Sequence, residues 1–227
     1  VSDLSNVIDL KEVFAQPNRF MNQEICLQGW VRNHRKQKSF GFINFYDGTV
    51  LSELQVVYEE GLANFEEIQK FAIGSAVWVR GTIVPSSGKN QQFEMKAAEI
   101  RLEGASAEDY PLQPKRHSIE YLREIAHLRP RTKLFQSVFR VRSLAAQAIH
   151  DYFQGNNFVY VHTPLITAND GEGAGQTFQV TTVDPDTCKQ PVDYTKDFFG
   201  KKTCLAVTGQ LEAEIFAMAY KKVYTFG

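Results

Sequence analysis

The sequence predicts an α+β protein in two parts, a small β-barrel followed by a domain that opens with a long helix. Two observations lead to this prediction. Residues 24–102 contain short runs in which apolar and polar side chains alternate, as they do in half-buried strands. After residues 103–118, which are rich in proline, charge and small side chains, the apolar residues repeat at helical spacing. We therefore expect domains at 1–102 and 119–227, joined by a linker at 103–118.

The first part has the element order of an OB-fold. A short helix is predicted at 9–15, with Asp9 as its cap. The strand patterns lie at 24–33, 39–47, 52–58, 75–84 and 91–102, with a helical pattern at 62–71 and a turn signal at Asp47-Gly48. Three strands, one helix and two strands form the OB-fold, a closed barrel that binds oligonucleotides on its outer face. A barrel without any nucleic-acid role fits the same pattern.

The second part begins with an amphipathic helix. Its apolar stripe consists of Leu134, Phe135, Val138, Val141, Leu144, Ala145, Ala148, Ile149 and Tyr152. The run Gly155-Asn156-Asn157 predicts where this helix ends. Beyond it we expect a strand at 158–163, strands mixed with a polar loop at 177–207, a helix at 209–220 and a last strand at 222–227.

Composition excludes several classes of protein. The chain has 227 residues, with 25 Lys and Arg against 26 Asp and Glu, so any contact with RNA must come from local patches. Cys26, Cys188 and Cys204 lack the spacing of a zinc site and are expected to be reduced thiols. Neither a membrane span nor a signal peptide is apparent, so we expect a cytoplasmic protein without a structural metal.

Cations and aromatic rings occur together in the first part. Arg32, His34, Arg35, Lys36 and Lys38 precede a strand with Phe40, Phe42 and Tyr46 on one face. Cations hold phosphates, and exposed rings stack unpaired bases at roughly 1–3 kcal/mol each. Gln55, on the next strand, can place an amide against a base edge. The alternative is a solvated turn beside core rings, but alternation leaves Ile43 and Phe45 to fill the core instead.

Three further segments are candidates for function. Residues 115–142 hold eight Lys and Arg, which suit either an RNA backbone or ion pairs across an interface. In the glycine-rich stretch 169–178, the carboxylate of Glu172 can close on a substrate ammonium group, although such a stretch taken by itself is more often a surface turn. Gln210 and Glu214 share a helix face near an N-terminus, which attracts carboxylates, but such side chains are usually only solvated.

Four strings of residues resemble a known family. They are "GWVRNHRKQKSFGFINFYDG", "KRHSIEYLREIAHLRPRT", "VHTPLITANDGEGAGQTFQV" and "DFFGKKTCLAVTGQLEAE". In this order they closely resemble the bacterial-type asparaginyl-tRNA synthetases of class IIb, and the resemblance covers essentially the whole chain. It implies an OB-fold that binds the tRNA anticodon, a hinge, and part of a class II catalytic domain built on an antiparallel sheet. It also implies a homodimer in which ATP and Mg²⁺ activate asparagine before its transfer to tRNA.

The resemblance assigns roles to positions in both parts of the chain. Phe42 matches the position that stacks an anticodon base, and Gln55 matches the position that recognises the middle base. Arg32 and Arg35 fall in the cationic stretch before them. Pro164 matches the proline of motif 1, which lies at the dimer interface and suits a strand end because it lacks an N–H group.

The resemblance also implies an amino-acid pocket. Glu172 matches the acid that holds the α-amino group of the substrate, and Thr208 and Gln210 match further substrate contacts. Aspartyl relatives have a lysine at the position of Ala213, whereas this sequence has no cation there and places Glu214 beside Gln210. A carboxylate accepts a hydrogen bond from a carboxamide and repels another carboxylate, so asparagine is favoured over aspartate.

Motifs 2 and 3 of the family, whose arginines hold ATP, have no counterpart in this sequence. We therefore expect no catalytic residue and no identifiable ATP or Mg²⁺ ligand among residues 1–227. The chain is interpreted as the N-terminal portion of an asparagine–tRNA ligase that does not form the adenylate alone. The alternative is a free-standing RNA-binding OB-fold protein with a degenerate, non-catalytic tail.

Overall fold

The structure is a computed structural model that describes residues 7–88, 91–169, 176–184 and 191–226. It divides into two compact units, Val1–Arg140 and Val141–Gly227, which are described separately below. The stretch 103–118, expected to be a linker, lies inside the first unit. No helix in the described ranges is long and apolar enough to cross a membrane.

The first unit contains the predicted barrel. Its strands are β1 (Glu24–Lys36), β2 (Phe40–Tyr46), β3 (Leu54–Glu59), β4 (Ala76–Pro85) and β5 (Phe93–Gly104). They close in the order β1-β2-β3-β5-β4, with β4 pairing back onto β1. All neighbours are antiparallel except β3 and β5, which run parallel. This is the strand order of an OB-fold, so the predicted fold of the first part is confirmed.

Alternation along the strands separates the barrel interior from its outer face. On β2, Gly41, Ile43 and Phe45 are buried, whereas Phe40 is exposed and Phe42 is half-buried. The interior also contains Leu27, Val31, Leu54, Val56, Tyr58, Val77, Val79, Ile83, Met95 and Ile100. Since successive side chains of a strand point to opposite sides, Phe42 faces out of the barrel, as the sequence predicts.

The first helix is capped from a distance. Helices α1 (Leu10–Ala15) and α2 (Pro17–Phe20) precede β1, and α3 (Phe65–Ile68) joins β3 to β4. Asp9 occupies the predicted N-cap position of α1, but its side chain makes no capping hydrogen bond. The carboxylate of Asp47, in the turn after β2, instead accepts a hydrogen bond from the backbone N–H of Leu10 at 2.6 Å. This satisfies one of the N–H groups that a helix leaves unpaired at its start.

The stretch that follows β5 is an ordered segment of the first unit. The backbone N–H of Ser106 donates to Ser75 Oγ at 3.1 Å. The ring of Tyr110 packs against Gly74, where φ is +88° and a Cβ would lie 2.9 Å from the ring. Helix α4 (Ile119–Glu124) is capped by the hydroxyl of Ser118, and a 3₁₀ turn at Arg129–Arg131 leads into the next helix. These contacts fix the segment against the barrel.

Helix α5 (Lys133–Gly155) ends where the sequence predicts. Asn157 has φ +63°, in the left-handed region that asparagine tolerates better than most residues. The N–H of Asn157 donates to the carbonyl of Gln154, and the N–H of Phe158 donates to that of Phe153, both at 3.0 Å. The rings of Phe153 and Phe158 are in contact, with centroids 5.2 Å apart. This is a Schellman cap with its usual hydrophobic contact.

The second unit contains short strands and one further helix. Strands β6 (Val159–Tyr160) and β10 (Val223–Tyr224) pair in parallel, and α6 spans Gln210–Tyr220. Strands β7 (Ile166–Thr167), β8 (Gln179–Val180) and β9 (Thr203–Leu205) form an antiparallel sheet in the order β7-β9-β8. The strand predicted at 158–163 is therefore shorter than expected. In the described part of this unit, only Val161 and Tyr224 are buried hydrophobic residues.

Asp197 joins the segment after β8 to the segment before β9. Its carboxylate accepts hydrogen bonds from the N–H and the hydroxyl of Thr182, at 2.9 and 2.7 Å, and from the N–H of Phe198 at 2.7 Å. The hydrogen bond from the Thr181 side chain, followed by those from Thr182, lowers the pKa of this carboxyl well below its usual range. Asp197 is thus an ionised link across this sheet.

Candidate functional site

Three of the four predicted anticodon-binding residues lie together on the outer face of the barrel. Strand pairing sets Arg35 opposite Phe42, and Asn44 opposite Gln55. The guanidinium of Arg35 lies 5.0 Å from the centroid of the Phe42 ring, and its Nη2 donates to Gln55 Oε1 at 2.7 Å. A cation, an aromatic ring and an amide therefore meet on one side of the sheet. Surfaces that bind single-stranded RNA commonly combine such groups.

Glu94 joins this group and was missed in the sequence analysis. It lies on β5, and its Oε2 accepts a hydrogen bond from Gln55 Nε2 at 3.0 Å. The same oxygen accepts from Ser86 Oγ at 2.8 Å and from Gln91 Nε2 at 3.0 Å. Alternation on β5 shows that Glu94 faces outward. Its contact with Gln55 depends on the parallel pairing of β3 with β5, which no local pattern reveals.

The aromatic face is shorter than predicted. Phe40 and Phe42 meet edge to face, with centroids 5.4 Å apart, and Phe40 is 38 % exposed. Tyr46, the third ring expected on this face, is only 8 % exposed. The guanidinium of Arg32 covers its ring at 3.9 Å, and Trp30 packs beside it. Burial raises the pKa of the Tyr46 hydroxyl, although Arg32 opposes this effect. Two rings, rather than three, are available for stacking.

Arg32 does not make the contacts that join the Arg35 group. Its Nε lies 3.5 Å from Glu53 Oε1, and its Nη2 donates to Gln136 Oε1 at 3.4 Å. The pairing of β1 with β2 shifts register between Val31 and Asn33, so Arg32 sits at a β-bulge. A bulge redirects the side chain it carries, and alternation counted along the sequence fails there. Within the first unit, Arg32 is engaged in packing and ion pairing.

His34 is not one of the free cations that the sequence suggested. Its Nδ1 lies 3.0 Å from the carbonyl oxygen of Phe71, and its Nε2 lies 2.6 Å from the hydroxyl of Tyr58. The carbonyl requires an N–H at Nδ1, so Nε2 accepts from Tyr58 in the neutral ring. Burial lowers the pKa of His34 and raises that of Tyr58 to about 12. The pair is a neutral interior contact.

The structure describes three of the four residues that are expected to bind the amino acid. Thr208, Gln210 and Glu214 lie around the first turns of α6, at or near the surface. The N–H of Gln210 donates to Thr208 Oγ1 at 3.2 Å, and Gln210 Nε2 donates to Glu214 Oε1 at 2.9 Å. The predicted proximity of Gln210 and Glu214 on one helix face is therefore present. Glu172 lies outside the described residues.

The turn before α6 is closely packed. A Cβ at Gly209 would lie 2.4 Å from Thr163 Oγ1, so this position admits only glycine without movement of its neighbour. Pro164 follows Thr163 in the coil between β6 and β7, together with Leu165, which is 62 % exposed. Thr163 thus packs against the start of α6 within the second unit, and Pro164 is the next residue along the chain.

The described residues do not form a metal site. Across the described ranges, no three His, Cys, Asp or Glu side chains are arranged to hold a metal ion. Cys26 and Cys204, the two described cysteines, are free thiols.

Family models match both parts of the chain. A model described as an OB-fold nucleic acid binding domain matches residues 25–103. A model described as tRNA synthetases class II (D, K and N) matches residues 118–227. The first match covers the five-stranded barrel, and the second begins at the cap of α4.

Curated relatives give a narrower assignment. The chain is 52 % identical over 225 residues to an asparagine–tRNA ligase from Acholeplasma laidlawii, covering 97 % of this chain and 49 % of the relative. It is 55 % identical over 222 residues to an asparagine–tRNA ligase from Desulfitobacterium hafniense, covering 96 % of this chain and 48 % of the relative. The chain spans about half the length of the curated relatives it matches.

Solved structures share the fold. An asparaginyl-tRNA synthetase from Pyrococcus horikoshii, complexed with asparaginyl-adenylate, matches with a TM-score of 0.77 at 20 % identity, over 97 % of this chain and 47 % of that one. An asparaginyl-tRNA synthetase from Entamoeba histolytica matches with a TM-score of 0.72 at 20 % identity, over 90 % and 44 %.

The barrel matches an OB-fold nucleic acid binding domain, and the domain that follows it matches the class II tRNA synthetases of the D, K and N group. At this level the fold class predicted from the sequence is confirmed. Within that group, the chain is most specifically similar to asparagine–tRNA ligases, at 52 and 55 % identity over about half of their length, as the resemblance of its four strings implied.

Proposed function

We propose that this chain provides the N-terminal portion of an asparagine–tRNA ligase and that its barrel binds the tRNA anticodon. The observation that carries the proposal is the outward-facing group formed by Arg35, Phe42, Gln55 and Glu94. These residues come from four different strands, and Gln55 is hydrogen-bonded to both Arg35 and Glu94. The family supports the wider activity, in which asparagine is joined to tRNA.

Each member of the group has a distinct part in binding RNA. The half-buried ring of Phe42 offers a stacking surface for one unpaired base, which contributes about 1–3 kcal/mol. Arg35 lies over that ring and provides a positive charge for the phosphate beside the stacked base. Glu94, which bears a negative charge and cannot hold a phosphate, orients the amide of Gln55.

The orientation of the Gln55 amide determines what it can recognise. Arg35 donates to its oxygen and Glu94 accepts from its nitrogen, so rotating the amide by 180° would break both hydrogen bonds. One acceptor position on Oε1 and one N–H on Nε2 remain. Together they suit a base edge that offers a donor beside an acceptor, and they are positioned before RNA binds. Such preorganisation reduces the ordering cost of binding.

The second unit is proposed to contribute part of the asparagine pocket. Gln210 and Glu214 present a hydrogen-bonded amide and carboxylate at the start of α6, without a cation at Ala213. Glu214 can accept a hydrogen bond from the substrate carboxamide, while Thr208 lies just before the helix. Glu172 is proposed to receive the α-ammonium group, and Pro164 to lie at a homodimer interface, on the basis of family resemblance.

The remaining partners follow from the family. We propose a cytoplasmic enzyme that uses ATP and Mg²⁺ as a homodimer. ATP supplies the adenylating group for asparagine when it is bound.

The anticodon proposal is tested with Phe42→Ala. We expect the affinity of the chain for a transcript of the asparagine tRNA to fall by about 5- to 150-fold, which corresponds to the roughly 1–3 kcal/mol of one stacked base. Filter binding at fixed salt measures this change. Phe198→Ala removes the same ring from a site in the second unit that is 77 % exposed, and it should retain the parent affinity. An unchanged affinity in Phe42→Ala, or equal binding of a transcript with an altered middle anticodon base, would contradict the proposal.

The amino-acid proposal is tested with Ala213→Lys. Isothermal titration of the parent chain should show tighter binding of asparagine than of aspartate. The new cation should shift the ratio of the two affinities toward aspartate by about tenfold, because a lysine balances the second carboxylate. Ala219→Lys places the same charge at an exposed position near the end of α6 and should leave the ratio unchanged. Equal ratios in the parent and Ala213→Lys would disprove this assignment.

A further inference from the structure

The first unit contains a second candidate site that the anticodon-binding group does not use. It is a cavity of about 580 Å³. Its walls come from β1 and β2, from the turn at 110–117 and from the start of α5. Of the charged residues that line it, the cations are Arg32, Lys115, Arg116, Arg131 and Lys133, and the one acid is Glu53. The whole chain carries a net charge of −1, so this concentration of positive charge is local.

The acid of this cavity is already neutralised. Glu53 has a side chain only 14 % exposed, and its Oε1 lies 2.7 Å from Lys133 Nζ and 3.5 Å from Arg32 Nε. Its Oε2 accepts a hydrogen bond from Asn44 Nδ2 at 2.8 Å. Two cations and an amide thus satisfy one carboxylate. The excess positive charge belongs to the three other cations that line the cavity.

Two of these remaining cations are held by an ordered turn. Among the described residues, the side chains of Lys115 and Arg116 have no ion pair and no hydrogen bond. Their backbone is fixed, because the N–H of Lys115 donates to the carbonyl of Gln113 at 2.7 Å. Gln113 Nε2 in turn donates to the carbonyl of Tyr110 at 2.7 Å. The two adjacent charges are therefore free to bind an anion at little ordering cost to the backbone.

An aromatic wall lies beside the charges. The ring of Tyr110 is fixed against Gly74, and its hydroxyl accepts a hydrogen bond from Arg131 Nη1 at 3.3 Å. His117 lies on the same turn, with a ring nitrogen 3.1 Å from the carbonyl of Gln113. Leu112 adds an apolar surface. The cavity therefore combines a flat, partly apolar wall with unpaired cations.

We propose that this cavity binds one nucleotide, with the phosphate between Lys115 and Arg116 and the base against Tyr110. The cavity volume falls within the roughly 300–1,000 Å³ of small-molecule sites. Lysine and arginine form charge-assisted hydrogen bonds to phosphate, and bases stack on aromatic side chains. The nucleotide can be a free mononucleotide or one residue of an RNA chain. No residue of the Arg35 group lines this cavity, although its wall residue Asn44 lies opposite Gln55. The free-nucleotide form of the proposal does not depend on the proposed function.

The first test uses free nucleotides and the complete chain of 227 residues. Uridine and guanosine monophosphates are titrated at low salt, and inorganic phosphate serves as the competitor. We expect saturable binding that weakens by about tenfold in the double variant K115Q/R116Q. The double variant K201Q/K202Q is the matched control, since it removes two adjacent exposed cations from the second unit. Circular dichroism confirms that both variants remain folded.

The second test uses a full-length tRNA transcript in the same variants. If K115Q/R116Q weakens RNA binding relative to K201Q/K202Q while free nucleotides do not bind at about 5 mM, the source is a nucleotide of RNA. The dependence of affinity on salt should then also become shallower in K115Q/R116Q. If neither free nucleotide nor RNA distinguishes the two variants, the proposed site is wrong. Because Phe42→Ala probes the anticodon face separately, loss of one proposal leaves the other measurable.

Discussion

Gly41 and Tyr58 show how closely the outer face of the barrel depends on its interior. Gly41 lies between the two outward rings of β2, and a Cβ there would be 2.2 Å from the Tyr58 hydroxyl. That hydroxyl donates to Nε2 of His34, whose other nitrogen is bound to the carbonyl of Phe71. The missing side chain of one residue therefore makes room for an interior hydrogen bond that ties β3 to β1.

We expect Gly41→Ala to destabilise the first unit by about 1–3 kcal/mol, because the new methyl group overpacks a filled interior. Urea denaturation followed by tryptophan fluorescence measures the change. Gly61→Ala is the matched control, since a Cβ added at this position would have no atom within 4 Å, and its free energy of unfolding should change by less than about 0.5 kcal/mol. Equal stability of the two variants would refute the steric account.

At this scale, alternation alone was enough to place Phe42 and Gln55 on the outside. It failed for Arg32, because the β-bulge at this residue interrupts the regular alternation of side chains between the two faces of β1. It also failed for Tyr46, because the guanidinium of Arg32 on the neighbouring strand covers the tyrosine ring. Glu94 was missed for a different reason. Its partner Gln55 is distant in the sequence, and the chemistry of an outward glutamate on a strand does not indicate which residue it contacts.

Among the secondary-structure elements, the sheet β7-β9-β8 is linked by the side chain of Asp197. Asp197 is buried and accepts hydrogen bonds from residues that follow β8, while it precedes β9 in the chain. The strands themselves contain only two or three residues each. Asp197 therefore adds a side-chain link to a short backbone ladder.

We expect Asp197→Asn to lower the melting temperature of the second unit, because an amide replaces an oxygen that accepts several hydrogen bonds. The pKa of Asp197 is lowered in the folded state, so its stabilising effect is complete above its unfolded pKa of about 3.9. That effect is lost as the pH falls below this value toward the folded pKa. Thermal melts by circular dichroism at several pH values measure both effects.

Asp151→Asn, at an exposed position of α5, is the control for Asp197→Asn. It should melt with the parent and keep the parent's loss of stability in acid. The Asp197→Asn protein should instead show a flatter dependence on pH below about 4. Parallel pH profiles in all three proteins would mean that another carboxylate is responsible.

Element positions were well predicted where the determinants are local. The barrel strands follow from alternation, and the end of α5 follows from the residues Gly155-Asn156-Asn157. The start of α1 could not be fully predicted from local sequence, since the side chain that caps it is Asp47, which lies in the turn after β2. The length of the strand predicted at 158–163 also depends on distant residues, because an apolar run forms a strand only where a neighbouring strand pairs with it. Here β10 pairs with Val159 and Tyr160 alone.

At the scale of the whole molecule, the two units differ in how many apolar side chains they bury. The first has a continuous apolar core inside the closed barrel. In the described part of the second, Tyr224 stacks on Phe153 at 4.7 Å and bonds to His150, but few other side chains are buried. Because apolar burial is the main source of stability, the two units should differ in their resistance to denaturant.

The two tryptophans make this difference measurable. Trp30 and Trp78 both lie in barrel strands, so tryptophan fluorescence reports on the first unit alone. The helical signal in circular dichroism includes α6 and most of α5. We expect this signal to fall at a lower urea concentration than the fluorescence changes. Coincident transitions would show that the chain unfolds as one cooperative unit.

The circular order of the barrel strands has a consequence for how RNA acts on the protein. Arg35, Phe42, Gln55 and Glu94 become neighbours only when β3 and β5 have paired, so an open barrel has no complete surface to offer. A nucleic acid that binds there is therefore also a folding ligand. At a concentration of 100 times its Kd, it adds about 2.7 kcal/mol to the stability of the closed state. In a cell, an RNA bound at this face would therefore also protect the domain from proteases.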